Sequence, residues 1–364
     1  MQRRTSERRA RIEDLVRYLC SPECAGRAPD TPGGIAARMR LVDEFRAIGA
    51  VPGGIDGYLQ PVPNCGANVL AEVPGRGSFA ERTIVVAAHY DHLGATADDC
   101  VFWGADDNAA AVAILVEVGR ELVARGRPGR RVILAAYDGE EMPHFLHGTM
   151  GSMYHVANPT APLASIDMMV CMDLCGHAIG PASFPSEVRN SLFVFGAELS
   201  AGVGELVDAA TIAGGVYPRR ADLDVLPPLS DYYAFRQAGV PVLFLSCGRW
   251  QHYHQPTDTP DRLDYDKIVS TVDYLAGLVQ LLRERPEAPA PFDTDARDDL
   301  ATIASLRALA RHLAPHVPAG SLAALQLAAR MGYGLAAAAA RGPLSTEQRQ
   351  QLAWMIAGLE EAMA

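Results

Sequence analysis

Two adjacent acids, Glu140 and Glu141, follow the apolar run 131–136 in the segment AAYDGEE. Adjacent carboxylates repel each other, and apolar surroundings raise the cost of ionising both of them. A fold keeps such a pair where a metal ion neutralises one carboxylate while the other handles a proton. Taken alone, the pair would more often be two solvated acids that open a helix.

Four further motifs supply the side chains that a metal site would need. They are AHYDHLG (88–94), GADDNAAAVA (104–113), CMDLCG (171–176) and HYHQPTDT (252–259). Their carboxylate oxygens and imidazole nitrogens are ligands that suit zinc. The five motifs together therefore favour a metal site over an isolated surface pair.

Short apolar runs alternate with helical stretches along most of the chain. Strands are predicted over 67–73, 83–88, 131–136, 166–172, 191–195 and 240–246. Helices are predicted over 6–20, with Ser6 as a possible N-cap, and near 108–124, 149–157, 201–213, 231–238 and 264–284. This alternation predicts an α/β fold with a mostly parallel sheet covered by helices on both faces.

The candidate metal ligands cluster at one position of this predicted fold, because most of them end a strand or lie in the loop after it. These residues are His89, Asp91, Glu140, Glu141, Asp173 and His254. In an open α/β sheet, ligands bind at the carboxyl ends of the strands. One edge of the sheet can therefore gather residues that lie far apart in the sequence.

The C-terminal part of the chain has a different composition. Residues 285–297 are rich in Pro and Asp and indicate a linker, and three Ala/Leu-rich helical segments follow it. Ser345 and Gln348 form a predicted capping box for the last segment. We expect a domain over 1–287 and a small helical unit over 288–364 that serves packing or dimerisation.

The composition of the chain indicates which binding partners and which cellular location to expect. Of the 364 residues, 49% are hydrophobic and 21% are charged, as in ordinary globular proteins. The chain has 32 Lys+Arg and 43 Asp+Glu, and the resulting net charge of −11 argues against general nucleic-acid binding. The seven cysteines are scattered and predict free thiols. Neither a signal-peptide pattern nor a run of about 18 apolar residues appears, so we expect a cytoplasmic protein without a membrane span.

Residues 1–287 resemble the M28 family of co-catalytic zinc aminopeptidases. The resemblance is carried by the ordered series H-x-D, G-A-D-D, E-E, D and H-x-x-x-D-T. It implies a phosphorylase/hydrolase-like three-layer sandwich with a mixed, twisted sheet, two zinc ions per chain, and hydrolysis of N-terminal peptide bonds in a peptide substrate.

Matched motif by motif, the resemblance implies a role for each acid and histidine. His89 and Asp173 correspond to the terminal ligands of one zinc, Glu141 and His254 to those of the other, and Asp107 to the carboxylate that bridges both. A cis peptide bond after the bridging acid is also implied.

Two further acids complete the implied site: Asp91 as the acid that orients the His89 imidazole, and Glu140 as the general base. Chemistry supports this arrangement, because a metal lowers the pKa of its bound water to roughly 7 and a free carboxylate can then take the proton. Tyr253 is either a donor to the developing oxyanion or an aromatic residue at the rim without a catalytic task.

Other polar residues in these motifs are expected to be structural. His92 is interpreted either as a turn residue or as a residue that contacts a metal ligand without binding the metal, because His89 and Asp91 already face the metals. Asp106 is expected to stabilise the turn before a helix, and Asp258 to anchor the loop of His254.

The segment 142–150 is longer than the family's typical connection, and it carries His144 and His147. It could shape specificity, shield the site or lie at the surface, and a specificity loop is favoured. Ser230 and Asp231 resemble a segment that shapes the substrate pocket, although Tyr232 replaces the family's usual His.

Three functions are compatible with these motifs. The favoured one is a zinc-dependent aminopeptidase that uses a metal-bridged water and Glu140 as base. A glutaminyl-peptide cyclotransferase could be built on the same scaffold. A binding protein that kept the fold but lost the chemistry is disfavoured, because buried carboxylates without a metal are costly.

Overall fold

The computed structural model of the protein describes residues 2–210, 215–286 and 292–363. Within these residues, strands are β1 (Val51–Pro52), β2 (Leu59–Val62), β3 (Gly66–Val73), β4 (Thr83–His89), β5 (Arg131–Tyr137), β6 (Ile166–Met172), β7 (Ser191–Phe195), β8 (Tyr217–Ala221) and β9 (Val242–Ser246). All six predicted strands are present. The end of the predicted helix 201–213 and the boundary between 287 and 288 lie outside the described residues.

The strands form one mixed sheet in the order β1-β3-β5-β4-β6-β9-β7-β8, with β2 paired to β3. The four central strands β5, β4, β6 and β9 are parallel to one another, whereas β3 and β7 run antiparallel to their central neighbours. The predicted mixed sheet with a parallel core is therefore confirmed. All four parallel strands end at the same edge.

Helices flank the sheet. They are α1 (Gln2–Leu19), α2 (Pro32–Ala47), α3 (Ala110–Arg125), α4 (Gly151–Ala157), α5 (Ser186–Arg189), α6 (Val203–Ala209), α7 (Tyr232–Gln237), α8 (Tyr265–Glu284), α9 (Asp299–Leu313), α10 (Ala319–Ala339) and α11 (Thr346–Met363). The prediction that Ser6 caps the first helix is wrong, because α1 begins at Gln2 and Ser6 lies inside it. No helix in the described residues is long and apolar enough to cross a bilayer.

Alternate residues of the central strands pack on opposite faces of the sheet, which produces two apolar cores. Ile84 and Val86 of β4 join the core formed with α1, α2, α3 and α8, whereas Val85 and Ala87 join the core formed with α7. Each central strand is buried along nearly its whole length. Such burial on both faces makes these strands continuously apolar in sequence, as expected for parallel strands.

The helices α9, α10 and α11 pack against one another, and α9 also packs on the edge strand β8. Leu306 and Leu309 of α9 are buried in the same core as the helices of the first face. The predicted capping box is present, since the Ser345 N–H donates to Gln348 Oε1 at 2.9 Å and the Gln348 N–H donates to Ser345 Oγ at 3.3 Å. A dimerisation role for this unit stays a prediction.

A buried histidine in the second core makes folding stability depend on pH. His155 is 1% exposed, its Nδ1 lies 2.8 Å from Tyr137 Oη, and burial lowers its pKa to about 4. An unfolded histidine titrates near 6.5. Between these two values the unfolded chain binds a proton that the folded chain does not, so stability falls as pH drops from about 6.5 towards 4.

We therefore expect the wild type to lose about 2 kcal/mol more unfolding free energy than His155→Gln when pH is lowered from 7.5 to 5. Gln carries no charge at either pH, so the difference between the two proteins isolates the histidine. Urea unfolding at the two pH values measures it. Equal losses in both proteins would show that His155 does not titrate in this way.

Candidate metal centre

The order of the central strands determines which side chains meet at the carboxyl edge. β4 lies between β5 and β6, and β9 follows β6. His89 is the last residue of β4, Asp173 directly follows β6, and Glu140 and Glu141 follow β5. The loop after β9 returns over this edge and carries His254, which is 33% exposed and adopts a left-handed backbone conformation with φ 52°. The structure therefore brings all four segments together.

The fifth segment, which carries Asp107, is the turn directly before α3. The peptide bond between Asp107 and Asn108 is cis, as the resemblance implies. Asn108 Nδ2 donates to the carbonyl of Met172 at 3.0 Å, which ties this turn to the end of β6. The carboxylate of Asp258 accepts hydrogen bonds from the N–H groups of Asp106 and Asp107, so the predicted anchoring role of Asp258 is borne out by its contacts.

A buried arginine holds the same turn from the other side. Arg27 is 0% exposed and donates to five backbone carbonyls. The acceptors are Leu19, Tyr90, Trp103, Gly104 and Asp107. The guanidinium thereby joins the segment after β4 to the turn before α3. Sequence reasoning missed this residue, because an arginine in a turn-rich stretch gives no signal that it is buried.

One group of ligand atoms surrounds His89 Nε2. This nitrogen lies 3.3 Å from Asp107 Oδ1, 3.5 Å from Asp173 Oδ1 and 3.9 Å from Glu140 Oε2. All four side chains are buried. Two carboxylates and one imidazole therefore converge on a common point, with a third carboxylate beside them.

A second group lies on the other oxygen of the same aspartate. His254 Nε2 lies 3.1 Å from Asp107 Oδ2 and 3.2 Å from Glu141 Oε1. Asp107 therefore presents one oxygen to each group. This is the arrangement expected of a carboxylate that bridges two cations.

The ligand atoms in these groups are better placed to coordinate metal ions than to hydrogen-bond to one another. His89 Nε2, Asp107 Oδ2 and Asp173 Oδ1 are buried, and none makes a hydrogen bond of normal geometry within the described residues. Bond lengths of about 2.0–2.2 Å to a tetrahedral zinc place neighbouring ligand atoms about 3.3–3.6 Å apart. The observed separations of 3.1–3.5 Å agree with that spacing.

Electrostatics separate the acids into two classes. Burial opposes the ionisation of Asp107, but His254 and His89 outweigh it and hold the pKa of Asp107 well below its usual value. Glu141 also has a lowered pKa, because His254 and His92 outweigh burial and the charge of Asp107. Burial raises the pKa of Glu140 well above its usual value, and the charges of Asp173 and Glu141 add to this effect. Glu140 is therefore the acid with the greater tendency to hold a proton.

Asp91 has a broader contact set than the sequence predicts. Its carboxylate oxygens accept hydrogen bonds of 3.1 Å from the N–H groups of Glu140 and Glu141. The Nδ1 atom of His89 lies 3.6 Å from Asp91 Oδ1 and 3.3 Å from the carbonyl oxygen of Asp91. Asp91 therefore positions the backbone of the glutamate pair as well as facing the imidazole.

Tyr253 is adjacent to the site. Its ring stacks on His254 with centroids 3.9 Å apart, and the guanidinium of Arg249 lies 4.9 Å from the Tyr253 ring centroid. Burial raises the pKa of Tyr253, and the charges of Asp107 and Glu141 act in the same direction. The phenol therefore stays protonated and able to donate a hydrogen bond at neutral pH. Whether it donates to an oxyanion stays a prediction.

Two further buried residues, His92 and Asp231, lie beside the site. His92 is fully buried, and its Nδ1 lies 3.0 Å from Glu141 Oε1. Asp231 is also fully buried, neither of its carboxylate oxygens has a hydrogen-bond partner within the described residues, and burial raises its pKa to about 7. A histidine three residues beyond a ligand and an acid beside a serine are weak signals in sequence alone.

Asp106 does not cap α3, whose N-cap Ala109 has no side-chain cap, and instead holds the loop that follows β6. It accepts hydrogen bonds from the N–H groups of Gly176 and His177 and lies 2.7 Å from His177 Nδ1. In the segment 142–150, Met142 is 68% exposed, and His144 Nδ1 lies 2.9 Å from Thr149 Oγ1. The segment thus begins directly after Glu141 at the surface, and its role in specificity stays a prediction.

Two known proteins are similar to this chain in sequence. The chain is 30% identical over 291 residues to the uncharacterized protein YfbL of Escherichia coli (strain K12), which covers 74% of this chain and 86% of that protein. It is 27% identical over 314 residues to the glutaminyl-peptide cyclotransferase of Bos taurus, covering 74% of this chain and 81% of that one.

Among solved structures, the fold is similar to that of the LapA aminopeptidase of Legionella pneumophila, with a TM-score of 0.60 and 15% identity. That match covers 78% of this chain and 76% of LapA. The profile of peptidase family M28 matches residues 68–279, a range that contains all five residues around the two groups of ligand atoms. The chain belongs to peptidase family M28.

Proposed function

We propose that this protein is a zinc-dependent aminopeptidase that hydrolyses N-terminal peptide bonds. The proposal rests on the position of the Asp107 carboxylate between the two groups of ligand atoms, with Oδ1 next to His89 and Oδ2 next to His254. His89 and Asp173 would hold one zinc ion, Glu141 and His254 the other, and Asp107 both. A bound zinc pair supplies Lewis acidity and lowers the pKa of a water molecule.

Glu140 performs the proton transfer in this proposal. It is held by the hydrogen bond from its N–H to Asp91, and its Oε2 lies 3.9 Å from His89 Nε2, beside the first group. Burial and the charges of Asp173 and Glu141 raise the pKa of Glu140, so its ionised carboxylate is a stronger base than that of an exposed glutamate. A carboxylate in this position accepts a proton from the attacking water and delivers it to the amine that leaves.

The charge around the site favours a substrate with a free amine. Glu140, Glu141, Asp107 and Asp173 lie within one buried cluster with Asp91 beside them, and two zinc ions would neutralise four of these five negative charges. An N-terminal ammonium group is complementary to the remainder, whereas a C-terminal carboxylate would be repelled. The named activity of LapA, whose fold is similar, is consistent with this substrate class.

Cyclisation of N-terminal glutamine is the second candidate, and the 27% identity to the bovine cyclotransferase favours it. In that reaction the substrate's own α-amine attacks its side-chain amide and ammonia leaves, so no water is consumed. Glu140 would again move the proton from the attacking nitrogen to the leaving one. Both reactions need the same buried acid, so the site residues alone do not separate them.

A substrate panel separates the candidates. We expect the purified protein to release amino acids from aminoacyl anilides and short peptides, to lose this activity on chelation, and to regain it when zinc or cobalt is added. Peptides that begin with Gln should lose a residue. Loss of ammonia from those peptides without loss of a residue would identify a cyclotransferase, and zinc binding without turnover of either class would overturn both candidates.

A further inference from the structure

We infer that His92 is a positioning residue, which holds the Glu141 carboxylate in place for the second metal position by a hydrogen bond from Nδ1–H to Oε1. The inference rests on the proposed function, because it assumes that Glu141 binds a metal ion. Neither the motif series nor the comparisons assign His92 a role in the site.

The geometry joins His92 to the second group of ligand atoms. Its Nδ1 lies 3.0 Å from Glu141 Oε1 and 3.8 Å from Asp107 Oδ2, and the ring meets His254 edge-on with centroids 5.8 Å apart. The ring is 0% exposed, so water does not compete for the contact with Glu141. A hydrogen bond to a carboxylate is stronger than one between neutral groups, particularly where water is excluded.

The surroundings of His92 Nε2 indicate which of the two ring nitrogens carries the proton. His92 Nε2 is buried and has no hydrogen-bond partner within the described residues. A buried N–H without a partner is rarer than a buried acceptor without one. The favoured tautomer therefore has its proton on Nδ1, where Glu141 accepts it.

The same nitrogen argues against His92 as a metal ligand. A histidine that binds a metal through one nitrogen almost always donates the other N–H to a carboxylate, a carbonyl or water. A metal bond at Nδ1 would leave an unpaired N–H at Nε2. A hydrogen bond to Glu141 avoids this cost and explains the 3.0 Å contact.

Backbone packing fixes the ring in this orientation. Gly104 lies against the ring, since a Cβ atom built on it would be 2.5 Å from His92 Cγ. Gly104 also has a φ of 58°, which favours glycine, and its carbonyl accepts a hydrogen bond from Arg27. The imidazole is therefore held before any metal binds, so that little freedom is lost when Glu141 becomes a ligand.

Zinc affinity measures this role directly. We expect His92→Ala to weaken one of the two zinc sites by about 10–100-fold, the range found when a partner of a metal ligand is removed. The other site, formed by His89, Asp173 and Asp107, should change little. His92→Asn should recover most of the affinity, because the Asn amide can donate from nearly the same position as Nδ1. Competition between the full-length protein and a chelator of known affinity gives both constants.

Controls distinguish positioning from ligation and from folding. His147→Ala changes an exposed histidine of the 142–150 segment and should leave both zinc affinities unaltered. The visible absorption bands of cobalt(II) in the second site should keep their energies in His92→Ala and change only in occupancy, because no ligand is lost. A shift of those bands would overturn the inference in favour of a ligand role.

Three further results would also overturn it: unchanged zinc affinity in His92→Ala, equal weakening of both sites together with a lowered Tm, or failure of His92→Asn to recover the affinity. Failure of the proposed aminopeptidase function can be distinguished from failure of the His92 inference. A wild type that binds two zinc ions with the expected His92 dependence, yet hydrolyses nothing, would overturn the activity and leave this inference in place.

Discussion

Glu140→Gln is expected to keep its zinc and to lose about 10²–10⁴-fold in kcat, the range that a general base contributes. Gln has nearly the shape of Glu but cannot accept the proton from water. Since Glu140 lies beside the first group and is not among the proposed ligands, both ions should stay bound. The substrate's KM should change much less than kcat, because the lost interaction acts in the transition state.

Steady-state kinetics and metal analysis on the same preparation measure these two effects together. Glu205→Gln is a matched control, because Glu205 is an exposed residue of α6. It should retain wild-type kinetics and zinc content. Full activity of Glu140→Gln would show that another group takes the proton, and loss of zinc from this variant would show that Glu140 is a ligand.

Asp107→Asn should have the second large effect, because a single side chain faces both groups. An amide is a weaker ligand for zinc than a carboxylate and supplies no negative charge between two cations. We expect both zinc affinities to fall and kcat/KM to drop by about 10³-fold or more, since the metals contribute several kcal/mol to transition-state stabilisation.

Asp173→Asn provides the contrast. Asp173 lies in the first group only, 3.5 Å from His89 Nε2, so this substitution should weaken one site while the other keeps its zinc. Chelator competition on the two variants, with circular dichroism to verify folding, makes the comparison. If Asp107→Asn weakened only one site, Asp107 would not be a bridging ligand.

The sequence was sufficient for the parts of the fold that are buried on both faces. The runs that became β4, β5, β6 and β9 are apolar throughout, and their residues can occupy few other environments. Two strands outside the parallel core, β8 and β2, are harder to recognise from the sequence. β8 has the sequence YPRRA, with four residues only partly buried, and β2 is only four residues long, so neither gives an apolar signal.

The candidate site could be assembled from sequence for a related reason. His89, Glu141 and Asp173 each end or closely follow a central strand, and parallel strands that lie side by side bring such residues to one edge. The motif resemblance added Asp107, which does not directly follow a strand, and gave a ligand role to His254 in the loop after β9. The structure brings all five together, and their roles as ligands stay proposals.

His92 and Arg27 could not be assigned in this way. Each is defined by a contact between loops: His92 with Glu141, and Arg27 with carbonyls before and after β4 and in the turn that carries Asp107. Loop-to-loop contacts depend on backbone paths that periodicity does not encode. The motif AHYDHLG is compatible with His92 as a turn residue or as a neighbour of a ligand, and only the path of the turn after β4 shows that His92 contacts Glu141.

The central claim is that Asp107 joins two metal positions at the carboxyl edge of the sheet. A crystal structure of the zinc-loaded protein, with anomalous scattering recorded on both sides of the zinc absorption edge, tests it most directly. Two peaks about 3.5–4 Å apart are expected, one on each side of the Asp107 carboxylate. A single peak, or two peaks that do not share Asp107, would contradict the claim.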